Sequence, residues 1–259
     1  MKELPLQDMH QGRMLVFAHR GARERAPENT LPAFRMAAEL GADGIELDVQ
    51  LSADGALVVF HDDTLERTTG APGRVADRTL VDLRQLDAGA WFAPQFAGTR
   101  IPTLDEVFES LHPHMLVNIE IKASSLLAPY GELVESVIDC IARHNMARRV
   151  LISSFNPAAL GAVRRRAPHL PIGYLYAPRL PLPLAKGWLA RPLIGPHEAR
   201  HPHFSMVDER YMRWARRAGY RVNVWTVNEP DDVRRMATLG VDMIMSDRPD
   251  AVIATLKEL

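Results

Sequence analysis

Met14-Leu15-Val16-Phe17-Ala18-His19-Arg20-Gly21 is an apolar run that ends abruptly in an imidazole, a guanidinium and a glycine. Such a run describes a buried β-strand whose C-terminal end opens on chemistry. The same arrangement recurs along the chain. Gly44 to Val49 carries Glu46-Leu47-Asp48. Leu57 to Phe60 ends at His61-Asp62. Leu116 to Ile121 carries Asn118-Ile119-Glu120-Ile121-Lys122, and Val222 to Trp225 leads into Thr226-Val227-Asn228. In a parallel barrel such ends meet at one mouth, so residues far apart in the chain share a pocket.

The intervening stretches read as helices. Leu31, Phe34 and Ala38 form a helical stripe, and Leu133, Val134, Val137, Ile138 and Ile141 a helical apolar face. Thr103-Leu104-Asp105-Glu106 is a capping-box pattern. Asn156-Pro157 and Glu229-Pro230-Asp231-Asp232 open further helices. Val150 to Ser153, Ile172 to Tyr176 and Met243 to Met245 add strands. Strands alternating with helices over 259 residues imply one α/β domain, residues 1–259, folded as an irregular (β/α)8 TIM barrel. No G-x-G-x-x-G follows the first strand, which argues against a dinucleotide fold. Phe204 to Val207 is a ninth strand candidate for eight places. The link from Asp48 to Leu57 is too short for a crossover helix, so at least one helix is expected to be missing. Residues 63–100, turn-rich after the third strand, read as a small inserted lobe over the mouth. Residues 177–202, rich in Pro, Leu and Arg, read as a lid, a dimer contact, a membrane-touching edge or a loop packed on the barrel.

A net charge of −1 gives no overall field to gather nucleic acid or anionic membrane. The single Cys140 excludes an internal disulfide, fits a reducing compartment and falls in a helix as a small core residue. No stretch reaches the ~18 apolar residues of a membrane span. Residues 1 to 13 are polar, without a signal-peptide apolar segment. The expectation is a cytoplasmic protein with no integral membrane contact, peripheral contact through 177–202 being the alternative. Oligomeric state is open.

Alternation puts Glu46 and Asp48 on one face of a strand, and Asn118, Glu120 and Lys122 on one face of another. If both faces line the mouth, Glu46, Asp48 and Glu120 converge. Without a counter-ion they would raise one another's pKa; a bound divalent cation resolves this. All-oxygen ligation favours Mg2+ or Ca2+, with Mn2+ the alternative, over zinc. Read alone, Glu46 and Asp48 are a salt-bridged rim pair; their place in an apolar run flanked by two His-bearing strand ends favours the ligand reading instead. His19 and His61 suit general acid and base work near neutral pH. Arg20 and Lys122 supply positive charge for the non-bridging oxygens of a phosphodiester, the alternative being pairing with Asp62 or Glu28.

At these residues the chain resembles the glycerophosphodiester phosphodiesterase family. The likeness spans nearly the whole chain: His19-Arg20-Gly21, Pro27-Glu28-Asn29-Thr30, Glu46-Leu47-Asp48-Val49, Val59-Phe60-His61-Asp62, Arg67-Thr68-Thr69-Gly70, Ile101-Pro102-Thr103-Leu104, Asn118 to Lys122, Val224 to Asn228 and Ser246-Asp247-Arg248-Pro249. The resemblance implies a barrel related to phosphatidylinositol-specific phospholipase C. It implies metal-dependent hydrolysis of a glycerophosphodiester, a small-molecule substrate, to glycerol 3-phosphate and an alcohol. It implies Glu46, Asp48 and Glu120 as metal ligands, His19 and His61 as acid and base, and Arg20 and Lys122 as phosphate contacts. Trp225 would border the glycerol end, a core-packing Trp being the alternative, and residues 63–100 would be the family's insertion. The attacking group is either the glycerol 2-hydroxyl, through a cyclic phosphate, or water at the metal. The chain departs from the family's pattern in 177–202 and at Ser246, where Thr is commoner. A lysophospholipase D that holds an acyl chain at 177–202 is one competing function. A non-catalytic phosphodiester- or lipid-binding barrel is another.

Overall fold

The computed structural model describes residues 12–123, 130–178 and 190–259. The apolar runs form strands β1 (Leu15–Ala18), β2 (Gly44–Leu51), β3 (Leu57–Val59), β4 (Leu116–Ile121), β5 (Val150–Ser154), β6 (Ile172–Tyr176), β7 (Ala199–Pro202), β8 (Arg221–Val224) and β9 (Met243–Ser246). Around the sheet the order is β1-β9-β8-β7-β6-β5-β4-β2, and β1 also pairs with β2, which closes the ring. Every pairing in the ring is parallel. The fold is the expected (β/α)8 barrel.

Outward side chains of the strands, among them Ile45, Leu47, Val117, Ile119 and Ile152, are buried against the helices. Leu15, Phe17, Leu151, Ala199, Met243 and Met245 fill the barrel interior. Gly44 makes room for this plug. A Cβ there would stand 2.5 Å from the Phe17 ring and 2.7 Å from the Leu116 carbonyl oxygen.

Helices cross between consecutive barrel strands: α1 (Leu31–Glu39), α4 (Leu104–Ser110), α5 (Gly131–Arg143), α6 (Pro157–Arg166), α7 (Ala190–Ile194), α8 (Glu209–Arg217) and α9 (Pro230–Leu239), with α10 (Pro249–Lys257) after β9. Their starts follow the expected chemistry. The Thr103 side chain accepts from Glu106 N while the Glu106 carboxylate takes the Thr103 N–H, a complete capping box. Asn156 caps α6 ahead of Pro157. Residues 63–100 hold two short helices, α2 (Glu66–Thr69) and α3 (Leu80–Leu83), and two 3-10 turns. Leu65, Val75, Leu83 and Ala88 from this stretch form their own apolar cluster with Val58, Phe60 and Ile101.

Three expectations are corrected. First, Leu57 to Phe60 is not a barrel strand. β3 runs antiparallel to β2 as a hairpin return, so no crossover helix belongs between them, and α4 serves the crossing from β2 to β4. Second, Phe204–Met206 is a 3-10 turn. Third, the place in the ring between β6 and β8 is taken by Ala199–Pro202, a strand not among the nine candidates. Its Arg and His hide it from any apolar pattern, and it removes the end of 177–202 from any lid. Residues 179–189, where that reading mainly falls, and residues 1–11 lie outside the described residues. Among the described residues, no helix is long and apolar enough to cross a membrane.

Candidate active site

β2 and β4 lie in register with Glu46 opposite Asn118 and Asp48 opposite Glu120. Side-chain alternation turns all four inward. Glu46, Asp48 and Glu120 each offer a carboxylate oxygen, and these oxygens lie within 4.8 Å of one another. All three residues are buried, so the rim-pair alternative for Glu46 and Asp48 fails. Burial first, then the charges of Asp48 and Glu120, pushes the Glu46 carboxyl well above the usual carboxylate range. Burial acts on Asp48 in the same direction. The charges of Lys122, Arg20 and His61 and a hydrogen bond from Asn29 outweigh it and leave Asp48 below its ordinary value. Asp48 Oδ1 is buried with no hydrogen-bond partner among the described residues. An orphaned carboxylate oxygen within an all-oxygen donor set fits a hard divalent cation.

The loop after β1 brings cations to this cluster. Arg20 adopts a left-handed backbone, φ 55°, which turns its N–H onto Glu46 Oε2 at 2.9 Å. A residue other than glycine held there costs roughly 1 kcal/mol or more. The Arg20 guanidinium donates to Glu28 Oε1 at 2.9 Å and stands 3.5 Å from Asp48 Oδ2. Asn29, with φ 56°, donates from Nδ2 to Asp48 Oδ2 at 2.9 Å and accepts the Asp48 N–H at 3.3 Å. Lys122 Nζ donates to Glu120 Oε1 at 3.0 Å and lies 3.5 Å from Asp48 Oδ1. Both cations therefore serve the carboxylate cluster, and Arg20 holds Glu28 besides.

The two imidazoles arrive by different routes. His19 ends β1, and its Nε2 stands 3.9 Å from Glu46 Oε2. Its Nδ1 lies 2.7 Å from Asp247 Oδ1, just past β9. His61 descends to the mouth on the antiparallel β3, where the Phe60 N–H bonds the Asp48 carbonyl at 3.0 Å. Gln50 Nε2 pins this turn by donating to the carbonyls of Phe60 and Asp62. His61 Nδ1 bonds Asp62 Oδ1, and Arg67 Nε donates to Asp62 Oδ2 at 2.6 Å. Arg67 then grips Glu28 with both terminal nitrogens, at 3.0 and 2.7 Å. Glu28 is held down at about 2: burial opposes this, but the Arg67 hydrogen bonds and the charges of Arg20, Arg23 and Arg67 prevail. Burial, helped by Lys122 and Arg20 against the pull of Asp48 and Asp62, lowers His61 below the usual imidazole value.

Trp225 follows β8, which stands across the ring from β4. Its Nε1 donates to the His201 carbonyl at 2.8 Å, and its ring meets Phe155 and His203 edge-on. It is half-buried and packs on the interior plug. It therefore belongs to the core in part, while sharing a wall of the mouth with Phe155.

Comparison with known proteins decides the family. The sequence model of the glycerophosphoryl diester phosphodiesterase family matches residues 19–251. The chain belongs to the glycerophosphoryl diester phosphodiesterase family. A glycerophosphodiester phosphodiesterase from Caldanaerobacter subterraneus subsp. tengcongensis is 44% identical over 245 residues, covering 94% of this chain and 98% of that protein. A phosphodiesterase from Oleispira antarctica, solved in complex with the product sn-glycerol-3-phosphate, superposes with a TM-score of 0.85 at 30% identity, covering 96% of this chain and 99% of that one. A glycerophosphodiester phosphodiesterase from Agrobacterium tumefaciens gives a TM-score of 0.78 at 31% identity, covering 93% and 99%.

Within this phosphodiesterase barrel, His19, Arg20, Glu46, Asp48, His61, Glu120 and Lys122 form one cluster. Sequence reasoning missed the residues that hold it. Asp247 and Asn228 were visible only as parts of motifs. Asn228 Nδ2 donates to Asp247 Oδ2 at 2.9 Å, and Asn228 Oδ1 accepts from Ser246 Oγ and Asp247 N. The available signal was position: both follow barrel strands, β8 and β9, whose ends face the mouth. Arg67 and Asp62 carried a weaker signal, an acid beside a histidine with a cation five residues on.

Proposed function

We propose that this phosphodiesterase hydrolyses water-soluble glycerophosphodiesters to sn-glycerol 3-phosphate and an alcohol. In this reading Glu46, Asp48 and Glu120 hold a divalent cation, Mg2+ or Ca2+ with Mn2+ the alternative, and His19 and His61 exchange protons. The observation that carries it is the triad of buried carboxylates flanked by two imidazoles, each anchored at Nδ1 by a carboxylate. The product bound to the Oleispira antarctica relative supports the glycerol phosphate end.

Hydrolysis adds negative charge to the non-bridging oxygens of the phosphate. A bound cation supplies charge to stabilise it. Arg20 and Lys122 add fixed positive charge, already neutralised in part by Glu28 and Glu120, so little reorganisation accompanies the reaction. One imidazole accepts the proton of the attacking hydroxyl as its oxygen bonds phosphorus. The other gives a proton to the alkoxide that leaves as the P–O bond breaks. Asp247 and Asp62 keep the Nδ1 proton in place on His19 and His61, which leaves Nε2 as the exchanging atom. Trp225 and Phe155 would face the glycerol end, and residues 63–100 would act as a lobe that frames the His61 side of the mouth.

The test is an assay panel of chelated enzyme, re-supplied with single metals, on glycerophosphocholine and lysophosphatidylcholine. The reading requires metal-restored turnover with the soluble diester preferred. Full activity after exhaustive chelation would refute the metal assignment, and preference for the lysolipid would refute the substrate class. A trapped cyclic glycerol phosphate identifies attack by the 2-hydroxyl; a 2-deoxy substrate cleaved at normal rate identifies water.

A further inference from the structure

A second group of metal-ligating side chains lies in the helical layer, on the outer side of the barrel wall. Asp105 occupies the first turn of α4, and Cys140 and His144 lie four residues apart at the end of α5. That spacing places the thiol and the imidazole on one helix face. Asp105, Cys140 and His144 each offer a ligand atom, and these atoms lie within 4.8 Å of one another. His144 Nε2 stands 2.8 Å from Asp105 Oδ1. The Phe108 ring packs against the His144 ring, centroids 5.5 Å apart, and steadies it. Cys140 is buried in the helix–sheet core, whereas the Asp105 and His144 side chains are 38% and 20% exposed. The group thus has a closed inner side and an open outer side.

We propose that Asp105, Cys140 and His144 form a site for a zinc-type divalent cation that staples α4 to α5, with water as the fourth ligand. One sulfur, one nitrogen and one carboxylate oxygen suit a borderline-soft ion, unlike the all-oxygen set at the mouth. Tetrahedral zinc needs donors about 3.5 Å apart, within a small side-chain adjustment of the spacing present. On binding, Cys140 releases its thiol proton to solvent and His144 keeps its proton on Nδ1. Asp105 and the Cys140 thiolate together balance the two positive charges. Arg143 is the competitor: its Nη2 donates to the same Asp105 oxygen at 2.7 Å. Its side chain is 57% exposed and can swing into water at the small cost of breaking a surface ion pair.

Cobalt titration of the chelated full-length protein tests this. Cys140 is the chain's sole cysteine, so a thiolate-to-cobalt charge-transfer band in the near ultraviolet reports this site alone. The carboxylates at the mouth contribute no such band. The expected result is a saturable band whose full amplitude corresponds to one thiolate–cobalt bond per chain, that disappears in Cys140→Ser and His144→Gln, and that forms at lower cobalt in Arg143→Gln. Zinc should also raise the melting temperature more in the wild type than in His144→Gln, which leaves the buried thiol in place and guards against a folding defect in Cys140→Ser. Absence of the band, a band indifferent to His144→Gln, or an equal zinc-induced rise in both proteins would overturn the proposal.

Discussion

His19 Nδ1 and Asp247 Oδ1 stand 2.7 Å apart although 228 residues separate them in the chain. The barrel closes between these two residues, because β1 pairs with β9 in a register that sets Ala18 beside Ser246. The last strand therefore carries the carboxylate that orients an imidazole from the first. Asp247→Asn should keep the fold and the hydrogen-bonding shape while favouring the wrong tautomer of His19. Turnover is expected to fall by roughly 100-fold with KM little changed, read by steady-state kinetics. An equal loss in KM alone would place Asp247 in binding instead.

His19→Ala and His61→Ala should each cost roughly 100- to 10,000-fold in kcat, since under the proposed function each removes one proton-transfer group. Neither side chain supplies an oxygen to the triad, so calorimetric titration with Mg2+ or Ca2+ should give affinities close to wild type. Full activity in either variant would remove that residue from the chemistry.

Glu46→Gln separates stability from function. Burial and the charges of Asp48 and Glu120 disfavour the ionised Glu46 carboxylate, while the glutamine oxygen can still accept the Arg20 N–H. In chelator the variant should unfold at higher denaturant than wild type. With metal added the order should reverse if the triad holds the ion as proposed, because the variant, left with two carboxylates, gains less stability from it than the wild type.

His197 contributes a pH dependence of folding from outside the site. Burial, with the charges of Arg200, Arg164 and Arg191, lowers it to about 4 from the ordinary 6.5. Between those values the unfolded chain binds the proton and the folded one does not. Stability from this group is thus complete above pH 6.5 and drains away as the pH falls towards 4, by up to about 3 kcal/mol. Urea denaturation at both ends of the window should show a shallower decline in His197→Gln.

Gly44→Ala places a methyl group against the Phe17 ring and the Leu116 carbonyl. Overpacking of this kind costs about 1–3 kcal/mol. Denaturant unfolding should show that loss, with Glu46, Asp48, Glu120, His19 and His61 unaltered.

Local chemistry alone was enough to read much of this molecule. Alternation along Glu46-Leu47-Asp48 and Asn118-Ile119-Glu120 put three carboxylates on inward faces, and Thr103 and Asn156 announced their helices, because each of these signals lies within a few residues of its effect. Three features needed the folded chain. Leu57–Val59 looks like any buried strand, and only its pairing with β2 shows that it runs antiparallel and delivers His61 from above. Ala199–Pro202 has no apolar run, yet hydrogen bonds to β6 and β8 make it a strand. Asp247 gains its meaning from His19, which local sequence cannot indicate. The distinction is physical. Side-chain direction, capping and turn preference are set by neighbours along the chain, whereas strand direction, closure of the ring and a carboxylate's partner are set by register between segments distant in sequence.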